Sequence, residues 1–498
     1  MPDDAGVNRG ESPSGPDSKS AEILTRLKSM RQQDAPTHGG RVLSYVYDPG
    51  SDILDELAGK AMELARPLNG LDPTTFPSIA RMEKELTRFA IGLTGGRIGK
   101  IFGSVTSGGT ESCLLAVKTA RDLWRSAHPD SAVRPRLLTS TTVHAAFQKA
   151  ALAFDLDWDP VPVGPDGRVR ARDVLDRLGD DVALVVLSAP AYPTGAIDPI
   201  AEVARRTRER GIALHVDACF GGLALPWWGT DEQWDFSIPG VTSISADFHK
   251  FGYAPKGVSV LMHRGRKRHR AQFFATSSWP AYPVVNPTLL GSKSASPLAA
   301  AWAIVSYLGQ EGYAEAVASC RKSTAAIIAA VDGIDGLQIW GQPTGPALAL
   351  IADTNLPTAQ RVDPHRLADA AVAAGFRLQH QPGFTQSDGT RLPRSVHLTI
   401  TPVTETVLPE LLTTVSQAAD RVRGRRPHNA TLAGRLARML YPSPKRPGPG
   451  VCAMLLRLSG AGSGVPGKMA GLMALIEALP TPVTEALLTE LLARTSED

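Results

Sequence analysis

The sequence predicts an α/β protein: a doubly wound, mostly parallel sheet with helices on both faces, followed by a smaller α+β domain. Three observations predict it. From Leu137 to about Pro297, short apolar runs such as Ala183-Leu-Val-Val-Leu187 and Val258-Ser-Val-Leu-Met262 alternate with helical patterns, as strand–helix–strand units require. Ile212 to Val216 follows Gly211, a C-cap glycine closing the helix-like Ile200 to Arg210 segment, and so reads as a buried parallel strand. Leu337-Gln-Ile-Trp340, Ala347-Leu-Ala-Leu-Ile351 and Ser395-Val-His-Leu-Thr-Ile400 then supply strands for the second domain.

In chain order, residues 1–40 are rich in Pro, Gly, Ser, Asp and Gln and read as a disordered tail. They contain no apolar core of a signal peptide. Residues 41–100 form an N-terminal helical segment, with Ile53, Leu54, Leu57 and Met62, then Ile79, Met82, Leu86 and Phe89, at helical spacing. Residues 101–308 are the large domain. Pro297 to about Ile334 is one long helical pattern or two in series, bridging to the small α+β domain at residues 309–425. Residues 426–498 are a tail with helices, punctuated by Arg421-Val-Arg-Gly-Arg-Arg-Pro427 and Pro442-Ser-Pro-Lys-Arg-Pro-Gly-Pro449 and ending in a helix from about Met469 to Leu479. There are no internal repeats.

Composition bounds the function. A chain of 498 residues that is 43% hydrophobic and 20% charged can bury large cores in more than one domain. Net charge is +4 and the pI is near 8.8, which gives no case for nucleic acid. Cys113, Cys219, Cys320 and Cys452 lack metal-ligand spacing, so no metal is expected and a reduced, cytoplasmic protein is. No apolar run is long enough for a transmembrane segment. The basic run His263-Arg-Gly-Arg-Lys-Arg-His-Arg270 reads as a solvated face, and Trp227-Trp228 as packing.

Four clusters carry chemistry. In Val241-Thr-Ser-Ile-Ser-Ala-Asp-Phe-His-Lys250, an apolar run ends in His249-Lys250, and Gly252 and Pro255 break the chain just after. Lys250 is therefore expected just past a buried strand, where desolvation lowers its pKa toward the neutral amine. Such an amine attacks aldehydes, the usual setting for a lysine that holds pyridoxal phosphate as a Schiff base. Asp217, in His215-Val-Asp-Ala-Cys219, falls at the carboxyl end of a strand, where a carboxylate can pair with a protonated pyridine nitrogen. Val105-Thr-Ser-Gly-Gly-Thr110 opens an amphipathic helix, whose free N–H groups and dipole suit a phosphate. His144, in Thr142-Val-His144-Ala-Ala-Phe147, could stack on a flat ring. Taken singly, a solvated lysine, an N-cap aspartate, an empty capping turn and an ordinary histidine are the commoner roles.

In this order the clusters resemble the fold-type I pyridoxal phosphate enzymes, in the branch of group II decarboxylases and sphingosine-1-phosphate lyases. Gly195-Ala-Ile-Asp-Pro199, Gly252-Tyr-Ala-Pro-Lys-Gly257, Gln272-Phe-Phe274, Pro287-Thr288 and Gly291-Ser292 extend the likeness. It runs from about Val42 to the early 400s, with a weaker echo in the tail. It implies the type I transferase fold, with a seven-stranded sheet sandwiched by helices, pyridoxal 5′-phosphate as cofactor, and a homodimer with shared active sites. Lys250 is then the Schiff-base lysine and Asp217 the partner of the ring nitrogen. His144 stacks on the ring, while Ser107, Gly108, Gly109, Thr110 and His249 hold the cofactor phosphate and Ser292 reaches the other subunit's cofactor. Lys256 and Tyr47 are assigned to substrate or proton-transfer contacts, and Asn69 and Asp72 to substrate.

The implied reaction is retro-aldol cleavage of a phosphorylated long-chain 2-amino-3-hydroxy base to a fatty aldehyde and phosphoethanolamine. Three positions depart from the pattern. Asn69-Gly-Leu-Asp72 places an anion where the family has a histidine, Thr194 stands where it has another, and Lys293 replaces an arginine. Asp72 would repel a substrate phosphate or pair with a substrate ammonium. Two further readings therefore stand beside the lyase: an amino-acid decarboxylase on the same scaffold, with Lys256 facing the substrate carboxylate, and a non-catalytic partner protein.

Overall fold

The structure is a computed structural model that describes residues 18–441, 446–458 and 467–497. The chain divides into two compact units, one ending at Thr37 and one running from His38 onward. In the first, helix α1 (Ser18–Arg31) stands inside the segment expected to be disordered. The reason is local: after Pro16 the composition changes to Ala, Ile, Leu, Lys, Arg and Met with no Gly or Pro, which favours helix. Residues 1–17, 442–445, 459–466 and 498 of the expected tails lie outside the described residues.

The second unit opens with an extended strap. Val42 bridges Arg377, and Leu43 both donates to the Arg377 carbonyl (3.0 Å) and accepts from the Thr399 N–H (2.8 Å). Helices α2 (Asp52–Ala65) and α3 (Pro77–Leu93) follow. Ser51 caps α2 by accepting from the Leu54 N–H, and Pro77 starts α3 with its φ already fixed.

The large domain is built on seven strands, β1 (Ile101–Thr106), β2 (Arg136–Ser140), β3 (Asp157–Val161), β4 (Val182–Ser188), β5 (Ala213–Asp217), β6 (Ser243–Ala246) and β7 (Ser259–Arg264), in the order β1-β7-β6-β5-β4-β2-β3. Strands β2 to β6 are mutually parallel, and β7 runs antiparallel to both β6 and β1. Two reversals restore direction, so β1 ends on the same side as β2, β4, β5 and β6. Every residue of β4 and β5 is buried, which explains their unbroken apolar runs. Helices α4 (Gly109–Ala127), α5 (Ala146–Phe154), α6 (Ala171–Leu175) and α7 (Ile200–Glu209) connect strands of this sheet, α8 (Arg266–Ala271) follows β7, and β8 (Phe274–Thr276) and β9 (Val284–Asn286) form a separate hairpin.

Helix α9 (Ser296–Asp332) leads to the small domain and is broken at Gly309, whose φ of 55° lies in the left-handed region. Strands β10 (Leu337–Ile339), β11 (Ala347–Ala352), β12 (Gln379–Gln381) and β15 (Ser395–Thr399) form an antiparallel sheet in the order β10-β11-β15-β12, with β13 (Phe384–Thr385) and β14 (Arg391–Leu392) as a short ribbon. Helices α10 (Pro364–Val372) and α11 (Thr404–Val422) cover it around Leu348, Leu350, Phe376 and Leu398.

Among the described residues beyond 426, the expected helix at α14 (Ala470–Ala478) is one of four, with α12 (Thr431–Leu440), α13 (Pro449–Leu458) and α15 (Thr481–Ala493). They enclose their own core of Cys452, Leu456, Leu475, Leu479, Val483 and Leu487. Asp369 accepts from the Met469 and Ala470 N–H groups at the start of α14 (2.8 and 3.2 Å), and buried Glu477 near its end accepts from Arg391 and Arg394 (3.2 and 2.5 Å). Among the described residues no helix is long and apolar enough to cross a membrane.

Candidate active site

The carboxyl ends of β1, β2, β4, β5 and β6 meet around a cavity of about 370 Å³. It is lined by eight of the residues picked from the sequence: Ser107, Gly108, Gly109, Thr110, His144, Asp217, His249 and Lys250. Each owes its place to the strand before it, since a chain leaving a parallel strand turns over the carboxyl edge, where the sheet opens to ligands.

At the β1–α4 turn, Gly108 is the N-cap and has no side chain to satisfy the first-turn N–H groups of α4. A methyl group on Gly109 would fall 2.6 Å from Asp247 Oδ2 and 3.0 Å from Cys219 Sγ, so only glycine lets this backbone close over the floor. Glu111, buried, accepts from the Ser107 N–H (2.6 Å) and from the Leu289 and Leu290 N–H groups (2.7 and 3.2 Å). It fixes the turn to the loop carrying Ser292.

On the floor, Asp217 Oδ1 accepts from the Cys219 N–H (3.1 Å) and the Ser245 hydroxyl (3.3 Å). Ser245 also contacts His215 Nε2 at 3.2 Å, and His215 Nδ1 meets Ser243 Oγ at 2.9 Å. Burial pushes the His215 pKa down to about 4 against the pull of Asp217, so the imidazole is neutral and serves as a hydrogen-bonded brace. Cys113, Asp217 and Cys219 cluster within 4.8 Å. Burial raises the Cys113 thiol, and the Cys113 hydrogen bond with burial raises Cys219, so both are thiols.

Lys250 differs from expectation. Burial alone would lower its pKa, but Asp247 Oδ2 lies 3.0 Å from Nζ and, with Tyr47, Cys219 and Asp217, raises it well above the ordinary lysine value. The paired carboxylate outweighs the lost water, and Lys250 is an ammonium. Asp247 is 1% exposed and also stands 3.4 Å from His249 Nε2. Burial lowers the His249 pKa.

Sequence reasoning left Asp247, Glu111 and Tyr192 without roles. Asp247 was legible by the argument used for Asp217, since it too ends a buried strand. Tyr192 lines the cavity, stacks on His397 at 4.0 Å and donates to Gln379 Oε1 at 2.5 Å, and Gln379 Nε2 donates to Tyr45 Oη at 2.6 Å. No local pattern announces such a chain across two domains.

The other sequence-derived residues lie outside the cavity wall. Tyr47 packs edge-on against Phe251 (5.4 Å) and Phe220 (6.2 Å), and Lys256 Nζ sits 4.5 Å over its ring while donating to the His249 carbonyl (3.0 Å). Burial pushes the Tyr47 hydroxyl up to about 12, and burial, helped by Lys250, lowers Lys256 to about 8. Asn69 Nδ2 donates to Ser292 Oγ (3.1 Å), joining two loops. Both Asp72 oxygens are taken by Thr74 and Thr75 through their N–H and hydroxyl groups, which hold its carboxyl well below the usual range. Asp72 is thus a turn-forming residue ahead of α3. Thr194 is fully buried, with Oγ1 accepting from the Ala196 N–H.

The cavity fits pyridoxal phosphate. Asp247 Oδ1 and His249 Nδ1 are buried without hydrogen-bond partners, beside an uncapped helix start suited to a phosphate. A lysine and an aspartate at neighbouring strand ends, below a glycine turn, define a pyridoxal-phosphate-dependent enzyme of the α/β class. Residues 68–333 match the pyridoxal-dependent decarboxylase conserved domain, and the chain belongs to that family. Residues 432–494 match a second family, described as "Pyridoxal-dependent enzyme, C-terminal putative HTH domain".

The chain is 34% identical to rat sphingosine-1-phosphate lyase 1 across 76% of its length, and 30% identical to the Arabidopsis thaliana sphingosine-1-phosphate lyase across 87%. It spans 64% of the rat protein and 78% of the Arabidopsis one. The Burkholderia pseudomallei sphingosine-1-phosphate lyase structure superposes with a TM-score of 0.74 at 30% identity, covering 88% of this chain and 97% of that one. A Lactobacillus brevis glutamate decarboxylase shares the fold, with a TM-score of 0.71 at 18% identity over 86% of this chain and 96% of that one.

Proposed function

We propose that the chain is a carbon–carbon lyase of the sphingosine-1-phosphate lyase type. It would cleave a phosphorylated long-chain 2-amino-3-hydroxy base to a fatty aldehyde and phosphoethanolamine. The observation that carries the reading is the pairing of Lys256 with Tyr47 beside Lys250, on a chain whose relatives bear that name. A retro-aldol cleavage needs a group that takes the proton of the 3-hydroxyl, and Lys256, with its pKa near 8, exchanges protons in the working range.

Bound in the cavity, pyridoxal phosphate supplies the electron sink for the pair released at the substrate's α carbon. The first-turn N–H groups of α4, Ser107, Thr110 and His249 would hold its phosphate, Asp217 its ring nitrogen, His144 a ring face and Lys250 its aldehyde carbon. The chain's remaining work is proton handling. Lys256 takes the hydroxyl proton as the C2–C3 bond breaks and C3 becomes the aldehyde carbon. Lys250 would return a proton to C2. Tyr47, un-ionised up to about pH 12, orients Lys256 through its ring face.

Asn69, which donates to Ser292 outside the cavity wall, would meet the substrate and Ser292 the other subunit's cofactor, in a homodimer with shared active sites. Four buried free cysteines accord with a reducing, cytoplasmic setting. The same scaffold would serve an amino-acid decarboxylase, with protonated Lys256 against the substrate carboxylate.

Product analysis by mass spectrometry decides. The purified protein and Lys250→Ala are offered dihydrosphingosine 1-phosphate, its dephosphorylated form and a panel of amino acids. Lysine-dependent release of a long-chain aldehyde with phosphoethanolamine is the expected result. Carbon dioxide and an amine from an amino acid would instead establish the decarboxylase. Absence of a yellow, borohydride-reducible cofactor adduct would leave a non-catalytic protein.

A further inference from the structure

The charge of this chain is not spread evenly. Residues 421–476 carry ten Lys and Arg and no Asp or Glu, although the whole chain has a net charge of only +4. Part of this charge faces a cleft of about 900 Å³ between the small domain and the C-terminal helices, lined by Arg391, Arg394, Arg426, Arg435, Arg438 and Glu477. None of its lining residues belongs to the Lys250 cavity.

The arginines fall into two groups. Arg394 is fixed, with Nη1 3.1 Å from Asp363 and Nη2 2.5 Å from Glu477, and Arg391 shares Glu477 at 3.2 Å. Glu477 and Asp363 are 4% and 3% exposed, so the carboxylates on this wall are buried and already engaged. Arg426, Arg435 and Arg438 have no carboxylate partner among the described residues, and they are solvent-accessible. Guanidiniums gathered around a concavity repel one another until an anion enters, and their planar donors match phosphate oxygens two at a time. A cleft of about 900 Å³ holds far more than one phosphate. A chain of phosphates can face three of them, and the volume lies in the range of small-ligand sites.

The same charge does not describe a duplex-reading surface. In the α14–α15 pair, joined at Leu479-Pro480, the second helix is where base contacts would come from. That helix, α15, carries Glu485 and Glu490 and no Lys or Arg.

We propose that the cleft between the small domain and the C-terminal helices binds a small polyanion bearing two or more linked phosphate groups. Arg426, Arg435 and Arg438 are its ligands, on a wall held by the Glu477–Arg391–Arg394 pairs. The test is calorimetric titration of the full-length holoenzyme with inorganic tripolyphosphate, with orthophosphate and a short DNA duplex as separate arms. Wild-type protein should take up one equivalent of tripolyphosphate per chain. Arg435→Gln/Arg438→Gln, which preserves helix-forming residues, and Arg426→Ala should each weaken it by about tenfold or more, since charge-assisted pairs are lost. Lys267→Ala/Arg270→Ala on α8 should leave it unchanged.

Retention of cofactor absorbance and helical circular dichroism establishes that each variant is folded. No saturable uptake of tripolyphosphate overturns the proposal, as does equal weakening by the α8 variant. Duplex DNA binding more tightly and through the same arginines would assign the surface to nucleic acid instead.

Discussion

Asp247 Oδ2 lies 3.0 Å from Lys250 Nζ, three residues away on the turn that leaves β6. The carboxylate holds the lysine as an ammonium despite its burial, so the amine must shed a proton before it can bond to an aldehyde. Asp247→Asn removes the charge and keeps the shape. It should move the pH midpoint for covalent capture of added pyridoxal phosphate downward by about one unit or more, followed by absorbance in cofactor-stripped protein. An unchanged midpoint would show that Asp247 does not set the lysine's protonation.

Lys256 is lowered to about 8, by burial first and by Lys250 next. It therefore gains its neutral form as pH rises through 8. If it is the base for the 3-hydroxyl, kcat rises through that pH and then levels. Lys256→Arg stays protonated throughout, so it should lose roughly 100-fold or more in kcat and show no rise. A wild-type profile whose KM worsens above pH 8 at constant kcat would instead mark Lys256 as a substrate-binding cation.

Asp217→Asn keeps an acceptor for the Cys219 N–H and Ser245 contacts but removes the charge. We expect cofactor binding within a few-fold of wild type and kcat lower by about 100-fold or more, because the cofactor's pyridine nitrogen loses its counter-charge. Steady-state kinetics at saturating cofactor read this directly. Loss confined to cofactor affinity would count against the assignment.

Glu111 gathers three backbone N–H groups from two loops. Glu111→Ala leaves those donors without a buried acceptor, each costing about 1–3 kcal/mol. The midpoint of thermal unfolding should fall by several degrees, and cofactor affinity should fall by about tenfold or more as the glycine turn loosens. Calorimetry and cofactor titration check the two effects, and a drop in stability alone would mean the turn keeps its shape unaided.

The carboxyl edge of the sheet was legible because each strand there is short, apolar and followed at once by a chemically distinctive residue. Position along the chain became position in the site with no long-range information. Lys250, Asp217 and the Ser107-Gly108-Gly109-Thr110 turn came out this way. The Lys250 protonation state did not, since it depends on a carboxylate whose direction a strand pattern leaves open. Asp72 shows a related limit: its charge was weighed for what it would do to a ligand, while Thr74 and Thr75, two and three residues on, bond both its oxygens. The C-terminal helices were read as a tail because Pro- and Gly-rich stretches separate them, and their shared core forms only when α13 meets α15. Averaging charge over the whole chain hid the acid-free stretch at residues 421–476.

The strap from Val42 to Tyr47 is held at one end by the small-domain sheet and at the other by Phe251, the residue after Lys250. Five residues reach at most about 18 Å when fully drawn out. Its length thus sets how far the two domains can part before either the edge pairing at Leu43 or the ring packing at Tyr47 gives way. The tether therefore ends beside Lys250, and a chain nicked between Ser44 and Val46 would lose it while keeping every residue of its pocket.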